Sequence, residues 1–173
     1  MPAVKRPTQP GVAAAANPAA AQEASARVLR RFRLVFNAVK THFQQVERQA
    51  GVGGAQLWAL SVIGAHPDIG VGGLAQAMDI HQTTASNLVK SLIEREMVMA
   101  QRNGPDRRAV QLRITPVGAR ILRKAPGPFA GVLPQALALL DAETLARMDR
   151  DLGVLIDLLQ ADDRAARIPL AQL

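Results

Sequence analysis

The segment from Val71 to Val117 constrains the fold more than any other part of the chain. Its first part predicts a short helix that ends at a three-residue break, Asp79-Ile80-His81, and a second helix over about 82–96 with an apolar inner face. Two stretches with strand character follow, over 97–102 and 110–114, on either side of a loop rich in turn-forming residues. This order of elements predicts a winged helix-turn-helix.

The outer face of the second helix begins with polar side chains of small or medium size. A helix in the major groove must bring hydrogen-bonding groups to the base edges without bulk that holds it away. A merely solvated surface would favour longer, charged residues that form helices better. We therefore predict DNA contacts from Gln82, Thr83, Thr84, Ser86, Asn87 and Lys90.

The predicted hairpin is strongly basic. Between Met99 and Lys124 there are seven basic residues and one acidic residue, Asp106. Arg107 and Arg108 are adjacent in the predicted hairpin loop, where there is no hydrophobic core for them to pack against. Because the narrow minor groove has a negative potential that attracts arginine, we predict that both residues contact DNA from the wing.

Apolar residues recur with helical spacing at both ends of the chain. The first helix has two apolar stripes and therefore needs two partners, one of which can be a second subunit. Packing of the two terminal helices within one chain is the alternative. The stripes are Val28, Phe32, Val35, Val39, His42 and Val46 beside Leu29, Phe36 and Phe43 at the N-terminal end, and Leu145, Met148, Leu152, Leu155 and Leu159 at the C-terminal end.

These patterns predict a mainly α fold with a small β-hairpin, in one domain over 23–173. The winged helix-turn-helix covers 55–115, and dimerisation helices cover 24–50 and 116–162. Three prolines, Pro126, Pro128 and Pro134, predict a kink or a break in the helix after the wing. Residues 1–22 are rich in Ala and Pro, which predicts a disordered arm.

Composition narrows the class of function. The net charge is +7, and the basic excess lies in residues 1–140, which hold 17 Lys and Arg against 7 Asp and Glu. Such an asymmetry is consistent with a polyanionic partner on one face, and the alternative is that the charge serves solubility alone. The chain has no Cys, which excludes disulfides and thiol redox sensing. No signal peptide and no membrane-spanning run are recognisable, so we expect a cytoplasmic protein that does not associate with membranes.

We do not expect an enzyme or a cofactor. The sequence has no nucleophile elbow, phosphate-binding loop or dinucleotide fingerprint. His66, Asp68 and His81 are conceivable metal ligands, but two histidines and one aspartate around a loop are weak evidence for a metal site. We therefore predict no catalytic residues and no metal.

The chain resembles the MarR family of bacterial transcription regulators over roughly residues 24–162. The resemblance rests on Leu74-Ala75 through Leu92, on Asp106-Arg107-Arg108 and on Leu112-x-Ile114-Thr115-Pro116-x-Gly118. It implies a homodimer on a pseudo-palindromic operator, with Arg108 in the minor groove and Asp106 bracing the wing arginines. It further implies repression relieved by a small aromatic acid or phenol.

Two residues in the helix-turn-helix depart from the family pattern. Asp79 stands where the turn commonly has Gly, but Asp tolerates the left-handed region and the turn can survive. His81 stands where Ser or Asp usually caps the recognition helix.

A ligand pocket and a rival function complete the sequence predictions. Arg31 or Arg33 could bind a small aromatic carboxylate, with His42 bonding a ring substituent and Trp58 packing on the ring. The alternative is that His42 and Trp58 belong to the core or an interface and that the arginines are solvated. We therefore predict that the chain is a transcription regulator that binds double-stranded DNA in a sequence-specific manner. The alternative is a non-specific architectural DNA-binding protein.

Overall fold

The computed structural model describes residues 18–101 and 110–172. In chain order, the elements are α1 (Pro18–Ala50), α2 (Gly54–Ala65), α3 (Val71–Ala77), α4 (Gln82–Glu94), β1 (Val98–Gln101), β2 (Gln111–Ile114), α5 (Pro116–Lys124), α6 (Val132–Ala138) and α7 (Ala142–Leu159). Two 3₁₀ turns follow, Asp163–Arg167 and Leu170–Gln172. The fold is mainly α with one small hairpin, which confirms the predicted fold class.

The chain divides into two compact units, Met1–Val35 and Phe36–Leu173. The described part of the first unit is the N-terminal part of α1, and large apolar side chains such as Val28, Leu29 and Leu34 are exposed on it. The second unit contains the rest of α1 and every other described element.

The predicted disordered arm is wrong at its C-terminal end. Helix α1 begins at Pro18 and not near residue 24. Proline suits the first turn of a helix, where its fixed φ is already helical and its missing N–H has no role. Ala19, Ala20 and Ala21 then supply the strongest intrinsic helix propensity. Residues 1–17 of the predicted arm lie outside the described residues.

Helix α2 forms the centre of the core of the second unit. Leu57, Leu60 and Ile63 have no exposed surface, and they belong to one cluster with side chains from α3, α4 and β2. The core members from those elements include Leu74, Leu92 and Leu112. Because α2 is apolar around most of its circumference, the helix-turn-helix and the hairpin can both pack on it.

The two strands form an antiparallel hairpin. Val98 pairs with Ile114 at one end of the ladder and Gln101 pairs with Gln111 at the other. An isolated bridge joins Ile69 to Leu112 and ties the loop before α3 to the second strand. The second strand is thereby fixed against the core.

The helix after the wing is broken at Pro126 and Pro128, whereas Pro134 lies within the first turn of α6. Helix α5 ends at Lys124, and Pro126 and Pro128 lie in the connection to α6. Helix α7 begins with Asp141 as N-cap, whose Oδ1 accepts a hydrogen bond of 2.8 Å from the backbone N–H of Thr144. Within residues 18–101 and 110–172, no helix is both long and apolar enough to cross a membrane.

Candidate nucleic-acid interface

The turn between α3 and α4 is closed by backbone geometry that the sequence anticipated. Asp79 lies in the left-handed region with a φ of 50°, which Asp tolerates better than most residues. The N–H of Ile80 donates to the carbonyl of Ala75 at 2.9 Å. Its side chain is buried and fills the corner between the two helices. The two helices are thus held in a fixed angular relation.

Helix α4 has one buried face and one exposed polar face. Ala85, Leu88, Val89 and Leu92 are buried in the core. On the other side, Thr84 is partly buried, whereas Gln82, Thr83, Ser86, Asn87 and Lys90 are exposed. The structure therefore leaves most of the predicted recognition surface open to a partner.

The polar groups on this face differ in how much bonding capacity is free. The hydroxyl of Ser86 donates to the carbonyl of Gln82 at 2.8 Å, so its oxygen is left as an acceptor. Lys90 Nζ lies 4.0 Å from a carboxylate oxygen of Glu94, a long and exposed pair. Such exposed ion pairs contribute little to stability. The ammonium group can therefore exchange this partner for a phosphate.

The N-cap of α4 departs from the usual arrangement. His81 occupies the N-cap position, but its side chain makes no capping hydrogen bond. Instead, His81 Nε2–H donates to the carbonyl of Arg164, 3.2 Å away in the first 3₁₀ turn. The sequence identified His81 as unusual, but it gave no sign of this long-range partner.

The base of the wing is fixed by the Thr115-Pro116-x-Gly118 motif. Thr115 is the N-cap of α5: its Oγ1 accepts from the N–H of Gly118 at 3.2 Å and donates to the carbonyl of Glu96 at 2.7 Å. Its backbone N–H donates to the carbonyl of Met97 at 3.0 Å. One residue thus joins the end of β2, the start of α5 and the entry to β1.

An ion pair braces the second strand of the wing. Arg113 donates two hydrogen bonds to Asp68, from Nε to Oδ1 at 2.5 Å and from Nη2 to Oδ2 at 2.9 Å. The Arg113 guanidinium, by hydrogen bonding, holds the pKa of Asp68 below its usual value. Arg113 therefore contributes less free positive charge than its place in the basic hairpin suggests.

The predicted arginines of the wing and of the ligand pocket differ in whether the structure describes them. Asp106, Arg107 and Arg108 lie outside the described residues. Arg31 and Arg33 are exposed in the first unit.

His42 and Trp58 are both partly buried in the second unit. The Nε2–H of His42 donates to the carbonyl of Pro128 at 3.0 Å. The His42 ring also makes an edge contact with Phe43 at a centroid distance of 5.3 Å. Trp58 packs against the core cluster.

The three residues considered as metal ligands have separate partners. Asp68 bonds to Arg113, His81 bonds to the carbonyl of Arg164, and His66 Nδ1 lies 3.1 Å from the carbonyl of Val62. Among the residues described, no group of three or more His, Asp or Glu side chains is placed to hold a metal ion.

A helix pair with an open polar face, followed by a hairpin on the same core, defines a winged helix-turn-helix, a class of fold that places its second helix in the DNA major groove. A model of the MarR family matches residues 50–109. This match confirms the resemblance drawn from the sequence over these 60 residues, about one third of the chain. A search of curated proteins found no match.

Solved structures with this fold include three bacterial proteins. The Staphylococcus aureus MepR–DNA complex aligns with a TM-score of 0.53 at 18% identity, covering 74% of this chain and 93% of that chain. Streptococcus pneumoniae FabT in complex with DNA aligns with a TM-score of 0.50 at 19% identity, covering 79% of this chain and 97% of that chain. YusO from Bacillus subtilis aligns with a TM-score of 0.50 at 20% identity, covering 82% of this chain and 99% of that chain. At these identities the likeness establishes the fold.

Proposed function

We propose that this chain is a homodimeric regulator that binds double-stranded DNA in a sequence-specific manner and represses transcription in the cytoplasm. The observation that carries the proposal is the face of α4, where polar side chains such as Gln82, Thr83 and Asn87 are exposed while the opposite face is buried. These groups donate and accept hydrogen bonds, as reading of base edges requires. Arg107 and Arg108, with Asp106 beside them, are proposed to contact the minor groove from the wing.

The terminal helices support the dimer. Helix α7 has no buried residue, although apolar side chains repeat along one side of it. On that stripe Leu145, Met148 and Leu152 are each more than one-third exposed. A stripe of this kind on a monomer would be a contiguous apolar patch, which usually marks an interface. Two copies would place two recognition helices on half-sites about 10 base pairs apart.

Non-specific architectural binding is the second candidate. The net charge of +7 would favour it, since phosphate contacts supply most non-specific affinity. The exposed amides and hydroxyls of α4 favour base reading instead. The ratio of affinities for a footprinted site and for random DNA distinguishes the two, because an architectural protein gives a ratio near one.

Replacement of Asn87 by Ala is expected to relax specificity at one position of each half-site. Asn87 is exposed on the face of α4 that is predicted to enter the major groove, where an amide can bond adenine on two atoms. Loss of such a contact costs about 1–3 kcal/mol at that position. Genome-wide footprinting with the purified protein defines the site, and binding to all single-base variants of it measures the effect.

The matched control is Asn37→Ala. Asn37 is exposed on α1, on the side opposite the Val28–Val46 stripe at about 100° per residue. The Asn37→Ala variant should leave DNA affinity and sequence specificity unchanged. A uniform loss over all sequences in the Asn87→Ala variant would assign Asn87 to the phosphate contacts, and the absence of any preferred site in the wild type would favour the architectural candidate.

We also propose that a small phenolic or aromatic acid ligand releases the DNA. The geometry at His42 favours the phenolic kind. The carbonyl of Pro128 can only accept, so Nε2 carries the proton of the neutral ring and Nδ1 is left as an acceptor. An acceptor nitrogen suits a phenolic O–H better than a carboxylate. Packing of Trp58 on the ligand ring, and carboxylate binding by Arg31 or Arg33, stay predictions from the sequence.

A phenol that binds this way should raise the melting temperature and weaken DNA binding, because a ligand shifts an equilibrium only toward the state that it prefers. A panel of phenols, hydroxybenzoates and benzoates is titrated against the protein–DNA complex while melting temperature and Trp58 fluorescence are followed. His42→Ala should remove the response, and His66→Ala, on an exposed histidine, should keep it. A response that survives His42→Ala would contradict the assignment of His42.

A further inference from the structure

The C-terminal tail, residues 160–172, folds back onto the winged helix-turn-helix. Gln160 ends α7 in the left-handed conformation, with a φ of 49°. Further along, Pro169 is buried and Ala171 packs against the hydrophobic core. A Cβ on Gly54 would lie 3.1 Å from the Cβ of Ala171, so the tail lies close to the start of α2. The tail is thus anchored by apolar contacts near its C-terminal end.

A second attachment joins the tail to the start of α4. His81 Nε2–H donates to the carbonyl of Arg164 at 3.2 Å. The turn that presents this carbonyl is itself capped, because Asp162 Oδ1 accepts from the N–H of Arg164 at 2.9 Å. The first 3₁₀ turn is therefore held beside the N-cap of the recognition helix.

The two arginines of this turn differ in their surroundings. Arg164 is neutralised by Asp162, with Nη2 2.7 Å from Oδ2. Arg167 is exposed, and in the part of the chain that the structure describes it has no ion pair. It lines a cleft of about 330 Å³ between α3 and the start of α4, together with Gln76, Asp79 and Gln82. The guanidinium of Arg167 is thus an exposed cation beside the recognition helix, and no other described residue takes any of its donors.

The docked tail leaves the recognition face open. Gln82, Thr83, Ser86 and Asn87 are all exposed in the structure in which the tail is docked. The tail therefore flanks the recognition helix and does not cover it. An inhibitory role would require the tail to cover these side chains.

We propose that Arg167 binds a DNA backbone phosphate next to the recognition helix, which makes the tail a third DNA-contacting element. This inference rests on the proposed function. In helix-turn-helix complexes the first helix crosses the phosphate backbone, and here that helix, α3, forms the other wall of the cleft. Arginine and glutamine side chains are common phosphate ligands, and Arg167 and Gln76 stand on this cleft.

The test compares full-length Arg167→Gln with the wild type on a fluorescent random-sequence duplex of about 30 base pairs. Binding is followed by anisotropy between about 50 and 200 mM salt. The variant should bind several-fold more weakly at low salt, and the slope of log affinity against log salt should become less steep by about 0.9 per lost phosphate contact. Arg167→Lys should restore most of the slope, because the charge remains.

Two further variants make the result specific to the tail. Arg150→Gln removes the same charge from α7, on the side opposite its apolar stripe, and should leave the slope unchanged. His81→Ala removes the hydrogen bond to Arg164 and should reduce the slope part of the way, since the tail is then less firmly held. Circular dichroism and melting temperature confirm that each variant is folded.

The outcomes separate this inference from the function on which it rests. A wild type that shows no salt-dependent DNA binding overturns the proposed function. A wild type that binds DNA, with Arg167→Gln indistinguishable from Arg150→Gln, overturns the phosphate contact alone. Tighter binding by Arg167→Gln also overturns it, because the tail would then oppose DNA binding.

Discussion

Replacement of Leu152 by Glu is expected to convert the protein to a folded monomer that no longer holds its operator. Leu152 is at the centre of the α7 stripe and is 38% exposed in the single chain. A dimer would bury it against apolar groups, where an ionised carboxylate without a partner is strongly unfavourable. The helix-turn-helix core contains no residue of α7, so the substitution should leave that core intact.

The loss of DNA affinity should be large because the two half-sites are bound together. When one recognition helix is bound, the second binds as an intramolecular event, and this linkage raises the overall affinity by about 10² to 10⁴. A monomer loses that factor. Sedimentation velocity at micromolar concentration measures the assembly state, and anisotropy on the footprinted site measures the affinity.

Ala146→Glu is the matched control for this prediction. Ala146 is exposed on α7, away from the stripe, and the new carboxylate lies four residues before Arg150, a favourable spacing on a helix. The control should remain dimeric and bind DNA as the wild type does. A Leu152→Glu protein that is still dimeric would show that the dimer forms through another surface.

The elements around the recognition helix could be predicted because their signals are local. The start of α4 at Gln82, the N-cap at Thr115 and the break after α5 each follow from residue type and spacing over a few positions. The predicted bounds of the two strands agree with the structure within one or two residues for the same reason. The start of α1 differs from the prediction because the Pro-rich composition of residues 1–22 indicates disorder, whereas the three consecutive alanines behind Pro18 favour a helix.

The missed parts of the site depend on contacts between residues far apart in the chain. Nothing in the sequence near Arg113 indicates that its guanidinium forms an ion pair with Asp68, 45 positions earlier. The bond between His81 and Arg164 spans 83 positions, and the tail that provides it has no periodic pattern. From the sequence, Asp68 is only a conceivable metal ligand and His81 only an unusual residue at an N-cap.

Gly118 shows how one residue of a sequence motif can have a structural role that spacing does not reveal. A Cβ at this position would collide with the carbonyl oxygen of Met97 and would lie 2.9 Å from Ile114 Cγ1 and 3.1 Å from Leu60 Cδ1. The Met97 carbonyl is backbone at the entry to β1, and it also accepts the hydrogen bond from Thr115. Glycine is required here because α5 passes very close to the wing.

Gly118→Ala should therefore destabilise the protein and loosen the wing together. Insertion of a methyl group into a packed region typically costs about 1–3 kcal/mol. Because the atom that must move is backbone, we expect the upper part of that range. For a chain of this length, this corresponds to a melting temperature lower by roughly 5–12 °C. DNA affinity should fall as well, since the displaced carbonyl holds Thr115 and the base of the hairpin.

Gly72→Ala is the control that separates this effect from the general preference of helices for alanine. Gly72 lies in α3, and a Cβ there would meet no atom within 4 Å. This substitution should be neutral or stabilising by up to about 1 kcal/mol. Thermal and urea unfolding of both variants measure the difference. If Gly118→Ala melts at the wild-type temperature, then α5 can move away from β1 at little cost, and the close contact at Gly118 does not fix the wing.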